Sequence, residues 1–440
     1  MQQVVRMLYS IILFFSLSAV LFSHVKKVEA RNVVLFIGDG MGIASITSTR
    51  IWSQGSWGQL NMEKFPVVGL MKTYSGSDYV TDSAAAATAL ASGVKTYNGA
   101  IGVSYETIDP KKKSRNFETI LDVAKKMGKS VGIITSTRVS HATPAAFYAH
   151  VKERDMEQTI VEYISEADLD LVLGGGRCCF FPEKWIDPQE KLPGLRDDKR
   201  NLIQEMKSKG WTYVTTRSEL EEIKTSTKII GLFRYSHLSF DHERVKNNKD
   251  EPSLKELVEF GIKKLSVNPK GYVLIVEGGK IDHASHHNDA YGMVSETLAF
   301  DQAIGAAVRL VNEQDTLLVI TADHETGGLS LNGYRDLEIT KGKKFINQQC
   351  VITSDPLVTW ASGPKHKDNQ ADICMDTPAT FYRQSAAHTA VDVPIISKGP
   401  GSQRFTGFID NEDVAWLILR TLGTEFSNPV NHENYRLFRK

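Results

Sequence analysis

Neither sign of charge is in excess. Lys plus Arg and Asp plus Glu each total 52 in 440 residues, so no global field draws the chain onto nucleic acid or an anionic membrane. Internal repeats are absent, and the one low-complexity stretch is the short alanine run after Ser83. Beyond the N-terminal region no apolar run approaches the roughly 20 residues that span a bilayer. Two common catalytic signatures are missing as well. No G-x-S-x-G elbow surrounds Ser83, which argues against an α/β-hydrolase triad, and no G-x-G-x-x-G follows the first strand-like run, which argues against a dinucleotide loop.

What the N-terminus does carry is Arg6, an apolar run from Met7 to Phe22, and Val28-Glu29-Ala30. This is the layout of a secretory signal with an A-x-A-like cleavage site. The run is shorter than the roughly 20 residues that span a bilayer, which favours a cleaved signal over the alternative of a retained membrane anchor, so residues 1–30 are expected to be removed and the chain secreted or periplasmic. Export permits disulfides. Of Cys178, Cys179, Cys350 and Cys374, the adjacent pair would close only a strained ring, so Cys350 with Cys374 is the expected bridge.

Val/Ile/Leu-rich runs recur at Asn32 to Ile37, Ser130 to Thr135, Leu169 to Leu173, Tyr272 to Val276, Thr316 to Ile320 and Val393 to Ser397. Runs of this kind are strands buried on both faces. Helix-like stretches such as Phe117 to Met127 and Ser253 to Leu265 alternate with them, which predicts an α/β fold with a mostly parallel sheet covered by helices on both faces. Residues 31–440 are read as one domain, with the weakly periodic segment 335–384 as a small inserted lobe over the site.

In such sheets ligands bind beyond the carboxyl ends of the strands, and that is where the chemistry gathers. Asp39 follows the first run within Gly38-Asp39-Gly40-Met41-Gly42, where a carboxylate would repel a pyrophosphate but could hold a metal, with glycines permitting close approach. Ser83 precedes a run of strong helix formers, Ala84 to Leu90, so it falls at a helix N-terminus that favours an anion; a plain N-cap is the commoner role of such a serine. Glu277-Gly278-Gly279-Lys280-Ile281-Asp282-His283-Ala284-Ser285-His286-His287 packs five potential ligands together. Asp282 and His286, or equally His283 and His287, lie one helical turn apart, a spacing suited to zinc. Asp323 and His324, after the run ending at Ile320, suggest a second metal nearby. A metal ion could then activate Ser83 in place of a general base.

These motifs, with His-Ala-Thr-Pro-Ala-Ala at 141 to 146 and His388-Thr389, occur in the order found in alkaline phosphatases, which the chain resembles from Arg31 to Gly423. The resemblance implies two zinc ions and one magnesium. It selects Asp282, His286 and His388 for one zinc, leaving His283 a neighbour, and Asp39, Asp323 and His324 for a second zinc that also holds Ser83. Asp39, Thr143 and Glu277 are implied as oxygen ligands of the magnesium, with His141 beside that site where some members carry Asp. Arg154 is implied as the phosphate-binding arginine, with Asp82 orienting it. Small phosphate monoesters as substrates, a phosphoserine intermediate, rising activity at alkaline pH and a homodimer follow from the same likeness. Animal members bind a fourth ion near the segment matching Gly231-Leu232-Phe233, but Arg234 stands where they have an acid, so no fourth site is expected. Competing expectations are a phosphodiesterase or sulfatase relative and an inactive secreted metal- or phosphate-binding protein. Ser83-Ala84-Ala85-Ala86-Ala87 lacks the Pro and Arg of a sulfatase motif.

Overall fold

The computed structural model describes residues 30–104, 115–224, 228–332, 358–364 and 379–424. The expected signal segment up to Glu29, both Cys350 and Cys374, and most of segment 335–384 lie outside these residues.

Fifteen strands are described: β1 (Asn32–Ile37), β2 (Val67–Lys72), β3 (Ser130–Arg138), β4 (Leu171–Gly175), β5 (Trp211–Val214), β6 (Lys228–Leu232), β7 (Tyr272–Glu277), β8 (Thr316–Thr321), β9 (Glu325–Thr326), β10 (Ser330–Leu331), β11 (Val358–Gly363), β12 (Ala379–Tyr382), β13 (His388–Thr389), β14 (Val393–Lys398) and β15 (Gly407–Asp410). Ten form one sheet in the order β15-β2-β14-β8-β1-β7-β3-β4-β6-β5. Within it only β14 runs against its neighbours. The central strands β1, β7 and β8 are buried at every residue, as the uninterrupted apolar runs require. The sheet thus contains the six expected strands, β1 unchanged, β4 shifted two residues later and the other four lengthened by one to three residues, and four more whose mixed or short sequences gave no buried-run signal. Helices gather in two layers, one built from Ile43–Gln54, Leu254–Leu265 and Ala290–Leu310, the other from Ser83–Ser92, Ile120–Lys126 and Asn411–Leu422. Reciprocal caps set several of the starts, among them Ser253 with Glu256 and Thr119 with Asp122, each satisfying free N–H groups at both partners.

A three-stranded sheet, β10-β11-β12, lies outside the main one, with β11 and β12 falling within the segment 335–384 expected to form an inserted lobe. A two-residue ladder joins β9 to β13. Cys178 and Cys179 are buried free thiols. None of the helices among the described residues is long and apolar enough to cross a membrane.

Candidate metal centre and nucleophile

Strand register builds the site. Ile37 lies opposite both Glu277 and Thr321, and Glu277 opposite Thr135. Four adjacent strands therefore finish level, and Asp39, Glu277, Asp323 and Thr137 emerge side by side at their carboxyl edge. Gly40 adopts φ +72°, and a Cβ there would stand 2.9 Å from the Cα and Oδ1 of Asp282. Glycine is required both for the left-handed turn and for this close approach.

Ser83 opens a ten-residue helix that is buried throughout. The cap is Asp82, whose Oδ1 accepts from the Ala85 N–H at 3.0 Å. The serine hydroxyl is thereby released from capping and lies 3.2 Å from Nε2 of His324. Oδ2 of Asp82 holds Arg154 Nη1 at 3.1 Å and accepts from the Gly99 N–H, so one carboxylate fixes both the helix start and the arginine.

Three donor clusters surround this point. His286 Nε2 is 3.1 Å from Asp282 Oδ2, and His388 Nε2 is 3.8 Å from Asp282 Oδ1 and 3.3 Å from His286 Nε2. In the second cluster, His324 Nε2 lies 3.2 Å from Asp323 Oδ2 and 3.5 Å from Asp39 Oδ1. In the third, Thr143 Oγ1 donates to Asp39 Oδ2 at 3.3 Å, and Asp39, His141 and Glu277 present donor atoms within reach of one ion. Second contacts aim the imidazoles: Nδ1 of His286 bonds Ala386 O at 2.7 Å and Nδ1 of His388 bonds Thr81 O at 3.0 Å, leaving each Nε2 for the site.

The charges do not balance. Asp39 Oδ1, Asp323 Oδ2, Glu277 Oε1 and His141 Nδ1 are buried without a hydrogen-bond partner, a cost that native interiors rarely leave standing. Asp323 spends Oδ1 on the Gly40 and His324 N–H groups, while Glu277 spends Oε2 on Thr135 and Thr137. Among the described residues no lysine or arginine pairs with Asp39, Asp323 or Glu277. Burial, then repulsion from Asp323, Asp282 and Glu277, raises the Asp39 carboxyl well above its usual range. Burial pushes Glu277 up to about 7 against its threonine hydrogen bonds. Burial and the Asp282 charge push Asp323 up to about 7. Burial opposes ionisation of Asp282 too, but the hydrogen bond from His286 and the neighbouring imidazoles hold its carboxyl low. Burial keeps His324 and His388 neutral, the form in which imidazole binds metal. Oxygen-rich, partnerless and adjacent to neutral imidazoles, this donor set fits bound cations.

Arg154 also reaches His141, Nη2 to Nε2, at 3.3 Å. His283 turns away from the Asp282 cluster and packs edge-on against His141 and His237, and His287 is exposed. Arg234 lies 3.1 Å from Glu190 and 3.9 Å from Glu251. Sequence reasoning did not single out His237, Thr135, Thr137 or Thr326. Thr326 directly follows the ligand-rich Asp323-His324-Glu325 but is not itself a usual ligand type, and the other three stand in no such motif, although the threonines could have been sought as strand-end neighbours of Glu277 and Asp323.

A serine freed from capping duty, set among unbalanced buried carboxylates at the edge of a parallel sheet, defines a metal-dependent hydrolase of phosphate esters. The chain belongs to the alkaline phosphatase family, whose sequence profile matches residues 30–424. It is 36% identical over 427 residues to the alkaline phosphatase of Gadus morhua, covering 85% of this chain and 88% of that one. It is 39% identical over 422 residues to the tissue-nonspecific isozyme of Felis catus, covering 84% and 79%. Among solved structures, the Thermus thermophilus alkaline phosphatase superposes with a TM-score of 0.76 at 26% identity, covering 93% of this chain and 94% of that one. The enzyme of the Antarctic bacterium TAB5 gives 0.69 at 28%, covering 90% and 99%. That enzyme is also known as a histidine-to-aspartate mutant with Mg bound in its M3 site.

Proposed function

We propose that the chain hydrolyses phosphate monoesters with little regard for the leaving group, through a phosphoserine on Ser83, with two zinc ions and one magnesium as cofactors. The observation that carries this reading is the set of partnerless donors, Asp39 Oδ1, Asp323 Oδ2 and Glu277 Oε1, around a serine hydroxyl that no cap consumes. Asp282, His286 and His388 would hold one zinc, and Asp39, Asp323, His324 and Ser83 the other. Asp39, Thr143 and Glu277 would hold magnesium, with His141 within reach. Cations held by these residues would supply Lewis acidity to the reaction.

The chain's own groups do the rest. Arg154, held by Asp82, presents a planar fork to two phosphoryl oxygens. The helix that begins at Ser83 directs free N–H groups at the incoming anion. Ser83 Oγ, its proton released to solvent, bonds to phosphorus as the bond from phosphorus to the ester oxygen breaks, and the departing alkoxide takes up a proton from water; water then attacks the phosphoserine, the bond from phosphorus to Oγ breaks, and inorganic phosphate leaves as Ser83 regains its proton. A monoester offers three free phosphoryl oxygens, enough for the Arg154 fork and a further partner at once, whereas a diester offers only two, which favours a monoesterase over the diesterase reading. Residues 31–440 would act as one secreted domain and pair as a homodimer, with the N-terminal segment as its signal.

Turnover of p-nitrophenyl phosphate far above that of bis-p-nitrophenyl phosphate, abolished by chelator and restored by zinc, is the expected result. Phosphate trapped at acid pH should label Ser83, and Ser83→Ala should lose that label and on the order of 10³-fold or more in kcat. Label on another residue would overturn the assignment.

A further inference from the structure

Thr326 is buried on β9, directly opposite His388 on β13. Its Oγ1 lies 2.5 Å from Asp282 Oδ1 and 3.2 Å from His324 Nδ1. The zinc reading given above assigns these two neighbours to different ions, although their donor atoms, with one of Asp39, also lie within 4.8 Å of one another. A hydroxyl has one hydrogen to give, and an ionised carboxylate can only accept, so the hydrogen goes to Asp282. Towards His324 the hydroxyl must then accept, which places the imidazole hydrogen on Nδ1 and leaves the Nε2 lone pair facing Asp39, Asp323 and Ser83.

We propose that Thr326 is a positioning residue whose single hydroxyl joins the two zinc clusters and sets the tautomer of His324. The inference rests on the zinc reading given above. The backbone is built to hold this hydroxyl in place. Alternation along β9 sends Glu325 to the other side, where its carboxylate accepts from Thr389 Oγ1 at 2.5 Å and from the Gly328 and Leu329 N–H groups at 3.1 Å each. That clamp ties the loop carrying Asp323 and His324 to the strand carrying His388. The β-branched Thr326 side chain is stiff at χ1, so the clamp fixes where the hydroxyl points. Gly327 and Gly328, both at positive φ, turn the chain immediately afterwards.

Loss of an outer hydrogen bond to a metal ligand typically costs about 10- to 100-fold in metal affinity. Because one hydroxyl serves a ligand in each cluster, both zinc ions should weaken together. The experiment is competition of the full-length zinc-loaded protein with the chromogenic chelator 4-(2-pyridylazo)resorcinol, counting zinc released per chain. Thr326→Val, similar in shape but without the hydroxyl, should surrender both zinc ions at about 10-fold lower chelator or less, whereas Thr326→Ser should stay within about 3-fold of the parent. Parent-like retention of both ions by Thr326→Val, weakening of one ion alone, or a Thr326→Ser variant as weak as Thr326→Val would each overturn the inference. If Thr326→Val fails to fold, long-range 1H–15N spectra of the parent decide: hydrogen on Nδ1 of His324 supports the inference, and hydrogen on Nε2 overturns it. A parent that binds no zinc at all would instead sink the metal reading of the whole site.

Discussion

In the segment around Arg177 and in the cleft around Asp39, ionised groups are withdrawn from water to the same degree, yet only the first is neutralised from within the chain. Arg177 and Asp187 are 1% and 0% exposed. Their fork of hydrogen bonds, 2.6 Å from Nε and 3.1 Å from Nη2, is completed by Leu232 O and Gln189 Oε1 on the arginine and by the Gln189 and Glu190 N–H groups on the carboxylate. Burial alone would raise the Asp187 carboxyl, but Arg177 and these N–H groups hold it low. Asp39, Asp323 and Glu277 have no such partner and are pushed the other way. A buried ion pair with every lone pair used is a structural joint. Buried carboxylates that repel one another are stable only with a cation supplied from outside, and that requirement is what separates a site from a joint.

The largest effect should come from removing the cations. Glu277 and Asp323 titrate near 7 in the folded metal-free chain, against about 4 when unfolded. Between those values the folded state binds more protons than the unfolded one, so stability must fall as pH rises through this window. The chelated protein should therefore be inactive and melt at a lower temperature at pH 8 than at pH 5.5, while the metal-loaded protein shows no such drop. Equal melting of the stripped protein at both values would break the comparison.

Next in size is the joint itself. Asp187→Ala leaves the buried Arg177 guanidinium with only the Glu190 carboxylate, 3.9 Å away, as counter-ion, which should cost about 3 to 5 kcal/mol, read from denaturant unfolding of the metal-loaded protein. Zinc content and kcat of the folded fraction should stay at parent values, because no residue of the pair reaches the cleft. Loss of zinc in this variant would show that the two regions are not independent.

The opposite sign is expected in the cleft. In Asp323→Asn the retained Oδ1 still accepts from Gly40 and His324, and one repelling charge is gone. The metal-free variant should be more stable than the metal-free parent by on the order of 1 to 2 kcal/mol at pH 8, and it should bind zinc worse. A destabilised metal-free variant would mean that the carboxylates are not in conflict there.

Much of this contrast was legible in the sequence. The residues of the cleft sit in dense motifs at the ends of uninterrupted apolar runs, where period and chemistry agree. The same logic missed β2, whose half-exposed sequence Val67–Lys72 mixes both patterns, and the short β5, β6 and β15. Arg177 and Asp187 read as ordinary surface residues, since nothing local says that a charged pair will be folded under a loop. Thr326 stands two residues after His324, but its role was not legible because its other neighbour, Asp282, is brought to it by the fold after β7 and not by the chain around it. His283 and His287 could be separated from Asp282 and His286 only through the family likeness, because spacing along a helix is the same for both pairs.

The smallest change adds to the unbalanced set. Burial, then the charges of Arg154 and the neighbouring His283 and His237, keep the His141 imidazole neutral, and its Nδ1 has no hydrogen-bond partner. With Asp39 and Glu277 it completes a group that one ion could bind. A neutral nitrogen donor suits zinc and its neighbours, whereas magnesium demands oxygen. His141→Asp replaces that nitrogen with a charged oxygen donor within a few ångströms of a dication, an attraction that remains appreciable at an effective dielectric of about 20. The midpoint of magnesium activation, measured on zinc-loaded protein at fixed pH, should fall by about 10-fold, roughly 1.4 kcal/mol of binding. The same carboxylate would face Arg154, now 3.3 Å from the imidazole, and compete with phosphate for its fork, so the inhibition constant for inorganic phosphate should rise as the magnesium requirement falls. An unchanged or higher magnesium midpoint would place His141 outside the third site. A lower midpoint with unchanged phosphate inhibition would leave the metal assignment standing but separate Arg154 from it.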